Sequence, residues 1–303
     1  MIYSVTVTNH LGKSLKMVLG EPWESGLLIE EISGLGPTKA TINSVTYATG
    51  DGRLFNSAKQ AERNITFKIN PLELPDVETT RHLCYQMFPV KKEITLLFET
   101  DYRTCFCTGH VETCEPDIFS EKEQIDISII CDDPFFYSVN NLYVLNGLDS
   151  LFEFPFSNES LTEELIDFGE LRYDVGAPIE YTGDADCGCI ITLNCSGEVK
   201  NPKVRNLETG EVMNINTTKL SYIVGDSSDR LLANDKFIIN TMYGKKSATL
   251  YRNGKYYNCL GCLDRDTDWL QLHYGTNTFG YGADLGIYNC TIDIQSYIVY
   301  SGV

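Results

Sequence analysis

The sequence lacks the features that mark several large functional classes. No stretch approaches the length of about 20 apolar residues that spans a bilayer. Residues 1–18 alternate in polarity instead of placing a basic region before an apolar run, so we expect no signal peptide and folding in the cytosol. The glycine-rich stretches lack either the strand–helix context or the lysine of a phosphate-binding loop. The motif Gly-x-Ser-x-Gly does not occur, and the four histidines are scattered along the chain. We therefore expect no enzyme, no cofactor and no contact with a membrane.

Positive charge is also scarce. The chain has 24 Lys and Arg against 42 Asp and Glu, which gives a formal net charge of −18. Proteins that bind nucleic acid neutralise phosphates with clustered Lys and Arg. The composition therefore argues against specific nucleic-acid binding.

Cysteine is abundant, with eleven residues, and an odd number leaves at least one unpaired. Structural disulfides are not expected in the cytosol, where buried free cysteine behaves as a small hydrophobic residue. Two sets nevertheless have the side chains of zinc ligands. They are Cys105, Cys107, His110 and Cys114, and then Cys259, Cys262, His273 and Cys290. The first set lacks a C-x2-C pair, and its C-x-C on a strand suits a core as well as a metal. The second set has a C-x2-C pair, and a strand hairpin could bring its four residues together. We predict no metal site and keep the second set as candidate zinc ligands.

Most of the chain consists of short alternating stretches separated by turn residues. Ile125, Ile127 and Ile129 show the period of a half-buried strand. Turn signals occur at "TGDGR" (49–53) and at the Asn-Gly hairpin "YRNGKYY" (251–257). Many short strands with such turns indicate β-sandwiches or barrels.

Two segments have helical patterns. The first, 74–88, has Asp76 as its N-cap and an apolar stripe at helical spacing, and Pro89 ends it. It lies between predicted strands, which indicates a sheet with one helix packed on it. The second, 157–169, has Ser160 as N-cap with a glutamate three residues later, the spacing of a capping box.

The stretch "IICDDPFFYS" (129–138) ends a strand with two acids, a proline and three aromatics. Adjacent residues on a strand point to opposite sides, so Asp132 and Asp133 suit a turn better than a catalytic acid pair. We therefore predict two domains, 1–138 and 139–303. The predicted junction residues are Asp132, Asp133, Pro134, Phe135 and Phe136.

The order of the motifs resembles one protein family, the distal tail proteins of long-tailed (siphovirus-type) phages and related tail-like particles. In the first half the motifs are "GDGR" (50–53), "ERNITFKIN" (62–70), the helix, "DYRTCFCTGHVETCE" (101–115) and "QIDISIICDDPFFYS" (124–138). In the second half they are "NPKVRNLETGEVMNI" (201–215), "DKFIINTMYGKKSATLYRNGKYYN" (235–258) and "WLQLHYGTNTF" (269–279). The many cysteines and the "LHYGTN" turn depart from the family's pattern.

The resemblance implies a mainly β chain. Its N-terminal domain would be a β-sandwich or split barrel with one helix, and its C-terminal domain a jelly roll like a galectin or carbohydrate-binding module. The implied function is that of a structural virion protein. Its N-terminal domains form a hexameric ring that joins the tail tube to the baseplate hub, and DNA passes through this ring. The C-terminal domains hold receptor-binding proteins, and assembly takes place in the host cytoplasm.

The alternative function is a carbohydrate-binding surface adhesin, or a glycan-active module, built on the second domain. Trp269 and Tyr274 are the candidate glycan contacts, because aromatic faces near polar strand ends can stack on a sugar ring. Aromatic side chains in a jelly roll also fill the space between the two sheets. Both interpretations stay open at this point.

The acid excess predicts that the lumen of such a ring is acidic or near neutral, because Lys and Arg contacts would retain the duplex. The candidate lumen acids are Glu30, Glu31 and Asp51. A lumen that instead carries basic residues would contradict this prediction, and the candidates for that outcome are Lys39, Arg53, Lys59 and Arg63. The alternative is that Glu30, Glu31 and Asp51 are solvated on the outer surface of the ring.

Overall fold

A computed structural model of the chain describes residues 1–120, 122–138, 141–144, 148–149, 170–171, 178–225 and 227–303. The predicted helix at 157–169 lies outside these residues. The described chain is mainly β, which confirms the predicted class. It divides into two compact units, Met1–Val139 with Val299–Val303, and Asn140–Ile298.

The strands are numbered along the chain. The first ten are β1 (Ile2–Thr8), β2 (Ser14–Val18), β3 (Leu27–Ser33), β4 (Ala40–Thr46), β5 (Arg53–Gln60), β6 (Arg63–Pro71), β7 (Glu93–Thr100), β8 (Thr104–Asp117), β9 (Gln124–Cys131) and β10 (Phe136–Ser138). The second unit contains β11 (Asn141–Val144), β12 (Leu148–Asp149), β13 (Glu170–Leu171), β14 (Pro178–Tyr181), β15 (Cys187–Cys195), β16 (Lys203–Asn206), β17 (Val212–Asn214), β18 (Lys236–Asn240), β19 (Ser247–Arg252), β20 (Lys255–Asn258), β21 (Gln271–Leu272), β22 (Gly275–Gly282) and β23 (Cys290–Ser296). The last strand, β24 (Val299–Tyr300), belongs to the first unit.

The helices among the described residues are short. They are α1 (Val77–Met87), α2 (Leu220–Val224) and 3₁₀ turns at Thr217–Lys219, Leu260–Cys262 and Ile287–Asn289. Within the described residues, no helix is both long enough and apolar enough to cross a membrane.

The first unit is built on one antiparallel sheet with the order β2-β1-β7-β8-β9-β6-β3. The strands at the two ends of this order, β2 and β3, also contact each other, so the sheet curls towards a barrel. Every second side chain of β6 and β9 is buried, and Phe67 lies opposite Ile127 in the core. This alternation follows from the period of two in the sequence.

Helix α1 packs on this sheet in the predicted place. Asp76 is its N-cap, and a carboxylate oxygen accepts the backbone N–H of Thr79 at 2.7 Å. Thr80, Cys84 and Met87 are buried along one side, as their spacing of three and four requires.

The second unit contains two larger antiparallel sheets. One has the order β11-β23-β15-β18-β19-β20, with β21 paired to β15, and the other has the order β14-β22-β16-β17. Asn253 and Gly254 join β19 to β20 with positive φ angles of 51° and 76°. Both signs are those that a tight Asn-Gly hairpin turn requires, as the sequence predicts.

The two compact units differ from the predicted domains at the C-terminus. The prediction assigns the last five residues to the second domain, whereas β24 pairs with β10 in the first unit. The physical reason is that Val299 is buried there and pairs with Tyr137.

Candidate interaction surface

Strands β4 and β5 form a separate two-stranded sheet that pairs with no other strand of the described chain. We call residues 39–61 the arm. All of β5 and nearly all of β4 are exposed. A two-stranded hairpin alone in water is at best marginally stable, so the arm needs another surface to pack on.

Both faces of the arm carry exposed apolar side chains. Ser44 lies opposite Phe55, and Ile42 lies two residues before Ser44, so Ile42 and Phe55 share one face. Val45 and Leu54 lie opposite each other on the other face. Ile42 and Phe55 are 64% and 62% exposed, although side chains of this kind are normally buried. Apolar residues exposed together in this way mark an interaction surface.

The charge of the arm differs from that of the whole chain. Between residues 39 and 61 the basic residues are Lys39, Arg53 and Lys59, and the one acid is Asp51. The chain as a whole has a net charge of −18. The arm is therefore a basic element on an acidic protein and is complementary in charge to a second copy of it.

The base of the arm is held by Arg63, which is 1% exposed. Its guanidinium donates to the carbonyl oxygens of Gly34 at 2.5 Å and Gly36 at 2.7 Å, just before the arm. It also donates to the carbonyl oxygens of Pro134 at 2.8 Å and Ser301 at 2.8 Å. Burial lowers the pKa of Arg63. A buried cation persists only with such partners, so Arg63 fixes the base of the arm to the backbone at Pro134 and at Ser301.

The backbone segments at the base of the arm are also closely packed against each other. Ala61 donates its N–H to the carbonyl of Lys39 at 3.0 Å, which closes the hairpin. Gly34 has a φ of +80°, and a Cβ there would lie 1.9 Å from the carbonyl oxygen of Asn64. Only glycine fits at this position without moving the backbone.

The predicted junction residues lie within the first unit. Asp132 and Asp133 are exposed, and Asp133 accepts the N–H of Phe135 at 3.1 Å and the hydroxyl of Tyr137. Phe136 is fully buried, edge-on to the ring of Phe98. The acids therefore form a hydrogen-bonded turn, and the aromatic residue that follows belongs to the core.

The first set of candidate zinc ligands is dispersed. Cys107 contacts the thiol of Cys131, and Cys114 contacts the thiol of Cys84 on α1. His110 is exposed, because it points away from the buried side of β8. A register shift between Val111 and Thr113 then returns the side chain at 114 towards the core.

The second set is dispersed too. Cys259 and Cys262 contact each other, but Cys290 lies opposite Cys195. His273 lies between two carboxylates, with its Nδ1 3.2 Å from Asp186 and its Nε2 3.6 Å from Glu211. Among the described residues, no group of three or more Cys, His, Asp or Glu is placed to hold a metal ion.

The candidate glycan contacts do not form one surface groove. The Lys246 ammonium lies over the ring of Trp269, 4.9 Å from its centroid, and Tyr274 is 81% exposed. A nearby open groove of about 340 Å³ is lined by residues that include Lys246, Thr249, Tyr256 and Asn258, but by neither Trp269 nor Tyr274.

The charged residues considered for a lumen have different environments. Glu31 accepts Lys68 at 2.6 Å, and both side chains are about half exposed. Glu30 lies beside Asn70, with a contact of 3.4 Å. Arg63 is buried and is therefore not available at a surface in the first unit.

The fold is similar to that of solved phage structures. The SPP1 Dit (gp 19.1) protein, titled a paradigm of the hub adsorption apparatus in phages that infect Gram-positive bacteria, matches with a TM-score of 0.64 at 12% identity, over 97% of this chain and 98% of that chain. A chain of the phage P2 baseplate in its activated conformation with Ca has a TM-score of 0.49 at 13% identity, over 97% of this chain and 98% of that one. The form with Sr has a TM-score of 0.49 at 13% identity, over 96% and 97%.

No protein-family model matches the chain, and no curated protein sequence matches it either. The similarity to the SPP1 Dit protein confirms, at the level of the fold, the resemblance that the motif order indicates. It extends over nearly the full length of both chains.

Proposed function

We propose that the chain is a structural protein at the distal end of a phage-type tail, where copies of its first unit assemble into a closed ring of six. The observation that carries the proposal is the arm, which exposes apolar side chains on both faces. The similarity of the fold to the SPP1 Dit protein, a paradigm of the phage hub adsorption apparatus, supports the same assignment.

The occupant we assign to the arm is a neighbouring copy of the same chain. The arm is basic and its own chain is acidic, so the two surfaces attract each other between copies. Ile42 and Phe55 on one face, and Val45 and Leu54 on the other, would be buried where the arm lies between elements of the neighbour.

A contact of this kind is heterologous, because an arm of one copy meets a different surface of the next. Heterologous contacts produce a ring when the rotation between copies closes, and an open fibre when it does not. A closed ring covers every arm, which removes the exposed strand edges of β4 and β5. This advantage favours closure.

The wider role we propose is that of an adaptor in the virion. The ring would bind the tail tube protein on one side and the tail-associated hub protein on the other, and it would hold receptor-binding protein through the second units. DNA would pass through the ring without specific binding, and no catalytic step is part of this role. Assembly in the host cytoplasm completes the proposal.

Sedimentation velocity of the full chain tests the role of the arm. We expect the wild-type protein to sediment as one defined oligomer at high concentration. The double variant Ile42→Ser with Phe55→Ser removes one apolar face and is expected to sediment as a folded monomer. Its circular dichroism should remain that of a β-protein, and its melting temperature should equal that of the wild type at a dilution where the wild type is also monomeric.

Tyr102→Ser is the matched control, because Tyr102 is an aromatic residue of the first unit that is 95% exposed. This control should still assemble. An arm variant that assembles like the wild type would remove the arm from the interface. A wild-type protein that remains monomeric, even when tail tube protein is present, would count against the ring itself.

A second candidate function is glycan binding by the second unit. It is favoured by the open groove in which Tyr256, 4.9 Å from the ring of Tyr251, lies beside hydroxyl and amide groups. A glycan array with the full chain tests it. Specific binding that is lost in Tyr256→Ala, and kept in Trp269→Ala and Tyr274→Ala, would assign the sugar to this groove. An array without signal would remove this function.

A further inference from the structure

Two cysteines face each other across adjacent strands of the second unit. Cys195 is the last residue of β15 and Cys290 is the first residue of β23, and the register pairs them directly. Both side chains point into the unit, with 6% and 2% of each residue exposed. Their thiols contact each other.

Their position on the sheet suits a covalent bond. Residues directly opposite on antiparallel strands have Cα atoms about 4.5 to 5.5 Å apart. A disulfide needs a Cα separation of about 4.4 to 6.8 Å, so the strands do not have to move. The other thiol contacts in the described chain, such as Cys84 with Cys114, do not join residues paired in a strand register.

The two thiols differ in acidity. Contact with the thiol of Cys195 lowers the pKa of Cys290, and contact with the hydroxyl of Tyr281 acts in the same direction. Contact with Cys290, together with burial, raises the pKa of Cys195. Cys290 is therefore the better source of a thiolate, which is the reactive form in thiol–disulfide exchange.

We propose that Cys195 and Cys290 are a modification site, at which a small-molecule disulfide converts the two thiols into a cross-strand disulfide. Because both thiols are buried, exchange takes place when the ends of β15 and β23 open locally. The thiolate of Cys290 then attacks one sulfur of the small disulfide, forms a mixed disulfide and releases one small thiolate. The thiol of Cys195 then loses its proton and attacks Sγ of Cys290, which releases the second small thiolate. Two protein thiols are oxidised, and one small disulfide is reduced to two thiols.

The bond would enclose a large part of the second unit, since all strands from β16 to β22 lie between the two cysteines. A cross-link over such a long loop stabilises a fold mainly by restricting the unfolded chain. A chain made in a reducing cytosol would gain this bond on release into oxidising surroundings. The inference does not depend on the proposed ring.

Peptide mapping of the full chain by mass spectrometry tests the proposal. The folded, reduced protein is incubated with oxidised glutathione, unreacted thiols are alkylated after denaturation, and the digest is searched for linked peptides. We expect a peptide pair joined through Cys195 and Cys290, and a higher melting temperature that dithiothreitol reverses.

The control variant is Cys189→Ser, because Cys189 lies on the same strand β15 and its thiol is within 3.7 Å of the hydroxyl of Thr241. This variant should keep the linked pair and the gain in melting temperature. Cys195→Ala and Cys290→Ala should each lose both. Thiols at 195 and 290 that remain fully alkylated, or a glutathione adduct that persists at Cys290, would overturn the proposal.

Discussion

Among single residues, Arg63 joins parts of the first unit that are far apart in the sequence. Its guanidinium binds carbonyl oxygens of the segment before the arm, of Pro134 and of Ser301, and it lies 4.2 Å over the ring of Phe136. A buried charge with several good acceptors is retained, whereas the same carbonyls without it would lose their partners. Arg63 therefore stabilises both the base of the arm and the attachment of β24.

We expect Arg63→Met to lower the free energy of unfolding of the first unit by about 3 kcal/mol or more, because buried carbonyls would be left unpaired. Hydrogen exchange followed by mass spectrometry, read on the amides of β6, measures this loss. Arg53→Met on the exposed strand β5 is the control and should change the value by less than about 0.5 kcal/mol. Equal effects of the two variants would contradict the role given to Arg63.

Asp76 gives the stability a dependence on pH. Hydrogen bonds from the N–H and hydroxyl of Thr79 lower the pKa of Asp76 below its ordinary value of 3.8. A group with a lowered pKa in the folded state stabilises the fold above the unfolded value, and this contribution is lost as the pH falls through the folded pKa.

The free energy of unfolding of the wild type is compared with that of Asp76→Asn, because asparagine caps a helix without ionising. Wild type should be the more stable of the two at about pH 6, and the difference should shrink as the pH falls below 3.8 and through the lowered pKa of the folded state. Urea unfolding at each pH measures it, with the variant as the baseline for all other groups. A difference that does not depend on pH would contradict the role of the ionised cap.

At the scale of elements, the arm is a hairpin whose base is closely packed. The backbone at Gly34, before the arm, lies against the backbone at Asn64, after it. Gly34→Ala should destabilise the first unit through both its φ of +80° and the collision with Asn64. Gly12 has a similar φ of +78° but has open space around it, so Gly12→Ala separates the two effects.

We expect Gly12→Ala to cost about 1 kcal/mol, and Gly34→Ala to cost about 1 to 3 kcal/mol more. Chemical denaturation of the two variants measures the difference. Equal costs would mean that the backbone at Gly34 moves freely away from Asn64, and the base of the arm would then not be rigid.

The sequence predicts well those elements whose alternation of apolar and polar residues matches the side that they bury in the core of their own unit. Helix α1 and strands β6 and β9 are of this kind, because each has one apolar side and lies on the core. The arm is different, since β4 and β5 have no apolar side facing their own chain, and only the turn at 49–53 could be predicted. Partner choice among the cysteines depends on register and on the irregularity in β8, which local patterns do not encode.

Three observations concern the whole molecule. The fold is similar to that of the SPP1 Dit protein, the first unit presents a basic arm with two apolar faces, and the chain is strongly acidic. An acidic protein with a basic arm attracts its own copies, while its net charge repels nucleic acid. This combination supports the proposed ring and the proposed passage of DNA without binding.

Negative-stain electron microscopy of the purified full chain at high concentration shows whether copies assemble into a ring. We expect closed rings with six-fold symmetry and a central opening, and their loss in the double variant Ile42→Ser with Phe55→Ser. Single particles of monomer size, or open fibres in place of rings, would contradict the proposed ring.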